Sequence, residues 1–149
     1  MPRALLPCLV LLTALPALAQ DDEAYQQAME RCEEAKAKGD FAAMAAAIRE
    51  ALKHGPGTEY TWRSLSWAMG LMGQWQDSLV IARQNVARHG ASGWSLAQLA
   101  EAQIGASDYT GARDSLARIG TLPPEAIGTS QGAIDSPRRP LMVFTQRTL

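Results

Sequence analysis

Cysteine is scarce in this chain of 149 residues, which contains only Cys8 and Cys32. We expect Cys8 to leave with an N-terminal export segment, so that Cys32 is the lone thiol and no internal disulfide can form. The sequence also lacks Cys-x-x-Cys and His-x-x-x-His spacings. Zinc and similar ions need three or four converging ligands, so no metal site is predicted. The glycine-rich loop that cradles phosphates is missing too, and no cofactor is expected.

Clusters of positive charge are equally rare. The chain has 14 lysines and arginines against 15 acidic residues, and only Arg138 and Arg139 stand side by side. Proteins that bind nucleic acid make many phosphate contacts through concentrated basic residues. We therefore expect no nucleic-acid partner.

Long apolar runs are limited to residues 5–18, where Pro7 and Pro16 interrupt the segment. A transmembrane helix needs about 20 apolar residues, so this segment is too short to span a bilayer. Arg3 precedes it and Ala17-Leu18-Ala19 ends it as an A-x-A cleavage pattern. Together these features predict a signal peptide over residues 1–19. An uncleaved anchor is the alternative.

This prediction has consequences for the location of the protein. Cleavage after Ala19 would leave an exported chain, periplasmic or secreted, with no stable insertion in a membrane. In an oxidising compartment a lone cysteine is either buried or available for an intermolecular bond. The repeat pattern described next favours burial of Cys32.

Aromatic residues form only 6% of the chain, yet three of them recur at one interval. Phe41, Trp75 and Tyr109 are spaced 34 residues apart, and each follows a short turn-like dipeptide. The chain divides at this interval, without insertions, into three blocks of a repeat domain over residues 20–126: 25–58, 59–92 and 93–126. In each block we predict a first helix that ends near a small residue and a second helix that begins with the aromatic residue.

Turn residues recur at the same interval. The first helices are predicted to end near Gly39, Gly73 and Ser107. Gly55 and Gly90 follow histidines at the ends of two second helices, where a left-handed C-cap glycine is common. Beyond residue 126, the glycine and proline content predicts a flexible tail over residues 127–149, with no capping helix after Pro124.

The middle block carries a family pattern in Trp62-x-x-Leu65, in Gly73-Gln74-Trp75, and in Ser78 with Ala82. In these residues and in its 34-residue period, the chain resembles the tetratricopeptide repeat family. The resemblance implies an all-α fold, a right-handed α-solenoid of three helix-turn-helix repeats. The outer blocks match at fewer positions, and the chain departs from the pattern at four: Arg31, Met44, Ser78 and Asn85.

Small residues recur in the first helices at Cys32, Ser66 and Ala100, where we expect the two helices of a pair to pack closely. Trp62 and Leu65 are expected in the core. Cys32 and His54 could be imagined as a thiol nucleophile and its base, but a close-packed cysteine favours a structural role. We therefore predict a protein that is not an enzyme.

The resemblance also implies that the first helices line a concave groove that receives extended peptides or partner helices. Arg63 and Trp67 are i and i+4 neighbours, and both residue types often carry interface energy. As an alternative, Trp67 packs between adjacent repeats. The residues predicted to bind the partner in this groove are Tyr60, Arg63, Trp67, Leu71, Trp94, Ala97 and Glu101.

These features predict a protein-protein interaction module, a scaffold whose groove binds a protein or peptide partner. The alternative is a self-assembling structural protein of the cell envelope. In that case the uncapped third repeat would stack on another copy of the chain and form a homo-oligomer.

Overall fold

The structure is a computed structural model that describes residues 21–127. Within this range it contains helices and no strand. The predicted signal peptide and residues 128–149 of the predicted tail lie outside the described residues. None of the described helices has the length and apolar character needed to cross a membrane. The helices are α1 (Asp22–Lys38), α2 (Phe41–His54), α3 (Glu59–Leu71), α4 (Trp75–His89), α5 (Gly93–Gly105), α6 (Tyr109–Ile119) and α7 (Pro124–Ile127).

Consecutive helices pack in pairs, α1 with α2, α3 with α4 and α5 with α6. Neighbouring pairs join through α2 with α3 and α4 with α5, and the first helices α3 and α5 also touch. The all-α solenoid predicted from the sequence is thereby confirmed. The second helices begin at Phe41, Trp75 and Tyr109, as the 34-residue interval predicts.

The turns within the three pairs share one backbone geometry. Gly39, Gly73 and Ser107 have positive φ angles of 70°, 76° and 65°. In each turn the next N–H donates to a carbonyl five residues back, at distances from 2.8 to 2.9 Å. This is the left-handed ending that satisfies the last carbonyls of a helix. The small residues at these positions therefore end the first helices, as predicted.

The connections between pairs differ from the predicted left-handed caps at both glycines. Gly90 has a positive φ of 83° but a ψ of 174°, outside the left-handed helical region, and Gly55 is extended, with φ of −171°. The residue before a proline is driven toward extended backbone, and Pro56 follows Gly55. The left-handed residue of this loop is Gly57 instead, with φ of 70°.

Two apolar clusters form the core. The first core cluster joins α1, α2 and α3, and the second core cluster joins α4 and α5. Cys32, Ser66 and Ala100 are all buried, and Ser66 contacts Ser78 of its partner helix. The first core cluster contains Cys32, Ala35, Met44, Ala45, Ala47, Ile48, Leu65, Ala68 and Met69; the second contains Leu79, Ala82, Leu96, Leu99 and Ala102.

In the middle pair, two serine hydroxyls join α3 to α4. The Ser66 hydroxyl donates to the Ser78 carbonyl at 3.0 Å, and the Ser78 hydroxyl donates to the Ser66 carbonyl at 2.8 Å. Both residues are fully buried. This pairing accounts for serine at position 78, because each buried hydroxyl has a partner.

The two ends of the array have different surfaces. On α1 the outward positions are exposed, and Arg31 stands where Leu65 of α3 is buried against the preceding pair. Arginine fits there because no helix pair precedes α1 among the described residues. At the other end, Leu122 packs on the second core cluster and the Ile127 backbone lies against Gly93. One helical turn, α7, therefore follows Pro123, where no capping helix was expected.

Candidate partner-binding face

The predicted residues Tyr60, Arg63 and Trp94 meet on the face formed by the first helices. The Arg63 Cζ atom lies 5.5 Å from the centroid of the Tyr60 ring and 4.7 Å from that of Trp94. Both distances are within the range of cation–π interactions. We call this cluster, together with Glu33 and Lys36, the Arg63 site.

Helix geometry explains why these side chains meet. Tyr60 and Arg63 are three residues apart on α3, so they share one face of that helix. Trp94 occupies on α5 the position that Tyr60 occupies on α3, 34 residues earlier. Arg63 therefore reaches from its own helix to the aromatic residue at the start of the next first helix.

A hydrogen-bonded network links Tyr60 to α1. The Tyr60 hydroxyl donates to Glu33 Oε1 at 2.7 Å and accepts from Lys36 Nζ at 3.1 Å. Lys36 and Glu33 also form an ion pair at 3.2 Å. These contacts hold the Tyr60 side chain between α1 and α3, beside Arg63.

The network also shifts the protonation of its charged members. Burial alone would raise the pKa of Glu33, but hydrogen bonds from Tyr60 and Lys36 outweigh it and lower that pKa. The hydrogen bond to Tyr60 is the main reason that the pKa of Lys36 is raised, against a smaller effect of burial. Both shifts favour the charged forms, so the ion pair persists around neutral pH.

Arg63 is half-buried, and burial lowers the pKa of its guanidinium, an effect that Glu59 and Tyr60 partly oppose. Arginine nevertheless stays charged in proteins. Within residues 21–127, its guanidinium contacts the two aromatic rings and makes no hydrogen bond or ion pair. The N–H groups of the guanidinium therefore have no hydrogen-bond acceptor among residues 21–127.

Trp67 lies elsewhere on α3. Its ring meets the ring of Phe41 edge-on, with centroids 5.8 Å apart and planes at 72°. It packs against the first core cluster and is half-buried. This is the contact between adjacent repeats that was the alternative for Trp67.

The remaining predicted residues lie along the same helices. Leu71 is exposed at the end of α3, two turns beyond Arg63. Ala97 and Glu101 are half-buried and follow Trp94 at successive turns of α5. The ring contacts of Arg63 therefore involve Tyr60 and Trp94, whereas Trp67 packs on the first core cluster.

The prediction that Trp62 lies in the core is wrong. Trp62 belongs to neither core cluster and is only half-buried. Its indole N–H donates to the Pro56 carbonyl at 2.9 Å, and Arg88 lies 4.7 Å from its ring centroid. An indole needs a partner for its N–H, and the loop carbonyl outside the core supplies one. The pairing with Arg88 has no signal in the sequence, since the two residues are far apart in the chain.

The groups considered for chemistry are separated. Cys32 is fully buried, and burial raises the pKa of its thiol to about 11. The His54 ring lies 3.2 Å from Glu50 at the end of α2. In the described part of the chain, no three histidine, cysteine, aspartate or glutamate side chains converge to hold a metal ion.

Comparison with known proteins gives no match: no family model fits the chain, and neither the curated proteins nor the solved structures include a similar one. The helical repeat and the Arg63 site therefore carry the argument about function.

Proposed function

We propose that this chain is an exported, non-catalytic interaction module of the tetratricopeptide type, which holds a polypeptide partner on the face of its first helices. The observation that carries the proposal is the state of Arg63, half-buried between two aromatic rings with no hydrogen-bond acceptor among the described residues. Three helix pairs at a constant 34-residue interval support the family, and repeat solenoids commonly act as binding surfaces.

A polypeptide matches the chemistry of Arg63. Its guanidinium lies over the rings of Tyr60 and Trp94, and its planar fork of N–H groups can donate parallel hydrogen bonds to an acceptor. Backbone carbonyl or carboxylate oxygens of a partner would accept those hydrogen bonds. Arginine and tryptophan are the residue types that most often dominate binding energy in interfaces.

The surrounding network makes binding less costly in entropy. Glu33, Lys36 and Tyr60 hold one another through three short contacts before any partner arrives. Side chains that are already fixed lose little rotamer freedom when a partner binds. This preorganisation supports a specific contact at the Arg63 site over a general sticky surface.

The test is capture of partners from the envelope fraction with the full chain, followed by repeat binding with the purified partner. Arg63→Gln should lose capture, because it removes the charge and the planar fork. Arg63→Lys should recover little, since lysine keeps the charge but not the fork. Helical content, measured by circular dichroism, should match that of the parent in both variants.

Arg88→Gln is the matched control. Arg88 also stacks on a tryptophan at 4.7 Å, but on Trp62, outside the Arg63 site. It should leave capture unchanged. Equal loss in both variants, or capture that survives Arg63→Gln, would refute the assignment of the site.

Self-assembly is the second candidate, and one observation favours it. Phe41 meets Trp67 of the following pair and Trp75 lies over Gly105 of the following pair, whereas Tyr109 is 65% exposed. A first helix from another copy could cover Tyr109, although exposed Arg113 stands where Leu79 is buried in the middle pair. A chain that recovers only itself in the capture experiment would favour this candidate.

A further inference from the structure

The side chain of Asn85 on α4 is buried without a partner. Its relative exposure is 1%, and neither Oδ1 nor Nδ2 makes a hydrogen bond within the described residues. The same repeat position holds Ala51 in the first pair, fully buried and apolar. An amide that loses water without gaining a partner destabilises the folded arrangement around it.

The position of Asn85 shows which contact is weakened. It follows Ala82 by one turn of α4, and Ala82 packs in the second core cluster with Leu96 and Leu99 of α5. Residues three apart share a helix face, so Asn85 lies on the side of α4 that meets α5. We call the contact between α4 and α5 the second seam, and the contact between α2 and α3 the first seam.

We infer that the second seam is a built-in opening point, at which α5 to α7 separate from α4 while the first seam stays closed. The first seam is lined by apolar side chains, including Met44, Ile48 and Met69, and no orphaned polar atom lies in it among the described residues. Opening the second seam returns water to the amide of Asn85. A repeat array opens locally at its least stable contact, because each repeat packs only on its neighbours.

Other contacts across this part of the molecule are nearer the surface. The Ser92 hydroxyl donates to Glu59 Oε1 at 2.6 Å, joining the start of α5 to α3. Arg63 also spans α3 and α5 through Trp94. Opening would therefore separate Arg63 from Trp94 and dismantle the Arg63 site, so a partner bound there would close the seam. That last consequence rests on the proposed function, while the opening itself does not.

Amide hydrogen exchange of the full chain without any partner tests the opening. Peptides from α5 and α6 should exchange at least about tenfold faster than peptides from α1 and α2, which lie at the other end of the array. Asn85→Ala, which copies Ala51, should slow exchange in α5 and α6 by about tenfold, the effect of removing one orphaned polar group. Gln84→Ala, an exposed neighbour on α4, is the control and should change neither end.

A double variant makes the test reciprocal. Ala51→Asn with Asn85→Ala should move the fast exchange from α5 and α6 to α1 and α2. Equal exchange at both ends of the parent, or unchanged exchange in α5 and α6 after Asn85→Ala, would overturn the inference. If the double variant does not fold, the single Asn85→Ala comparison decides. Because no partner is present, its result is independent of whether Arg63 binds a polypeptide.

Discussion

The first and second seams follow the same 34-residue plan but fill their space in different ways. At the first seam Phe41 meets Trp67 in an edge-on contact, so two aromatic side chains share the gap between α2 and α3. At the second seam the larger Trp75 lies over Gly105, and the ring also lies 2.7 Å from where a Cβ of Gly70 would be. An aromatic pair therefore fills the first seam, whereas a tryptophan packed over a glycine fills the second.

This difference shows that the repeat period fixes positions but not chemistry. Protein interiors are packed as densely as organic crystals, so a change at one position needs a compensating change at its neighbour. Each seam meets this packing requirement with its own set of side chains. The second buries the amide of Asn85 at the repeat position where the first has the methyl group of Ala51.

The largest expected effect comes from Trp75→Ala, which empties the second seam. Removing a packed tryptophan typically costs about 3 kcal/mol of unfolding free energy, and the Trp75 ring is packed directly over Gly105. Tyr109→Ala, at the equivalent but exposed position, should cost less than about 1 kcal/mol. Urea denaturation followed by circular dichroism measures both. Similar losses for the two variants would show that the second seam does not depend on Trp75.

A smaller effect is expected from Gly105→Ala, which tests the fit of that tryptophan from the other side. A Cβ at Gly105 would overlap the Trp75 ring, so the indole or the helix must shift. Overpacking of this kind costs about 2 kcal/mol. Gly120→Ala is the control, because the nearest atom to its Cβ would be at an ordinary 3.4 Å. A stabilised Gly105→Ala variant would mean that Trp75 has room to move.

The smallest effect concerns the first core cluster and depends on pH. Burial, with a contribution from Glu33, raises the pKa of Cys32 from 9.0 to about 11. The unfolded chain then loses this proton at lower pH than the folded chain, so stability is complete below pH 9 and falls as pH rises toward 11. By pH 10 the loss should be about 1 kcal/mol.

Cys32→Ala, which copies Ala100, isolates this contribution from other groups that titrate in alkali. The difference in unfolding free energy between the parent and the variant should shrink between pH 8 and pH 10. A difference that stays constant over this range would contradict a buried, protonated thiol. A reducing agent keeps the cysteines as thiols, so that no disulfide between Cys8 and Cys32 forms in the unfolded parent.

The fold was predicted well where the signal is local and repeated. Phe41, Trp75 and Tyr109 begin their helices as predicted, because turn residues and apolar periodicity act within a few residues. The prediction for Trp62 was wrong, because its indole N–H donates to the Pro56 carbonyl outside the core. At the candidate site, Tyr60, Arg63 and Trp94 share the predicted face, but the sequence did not distinguish them from Trp67, which packs on Phe41.

The sequence by itself determined the number of helix pairs, the positions of their turns and the small residues at which their helices approach. These features depend on backbone conformation and on residue size at a fixed spacing. The tertiary structure decided which side chains meet across helices: Arg63 with Trp94, Trp75 with Gly105, and Asn85 with no partner in the described chain. Such contacts join residues that lie about a repeat apart, and their geometry depends on how the helices pack in three dimensions.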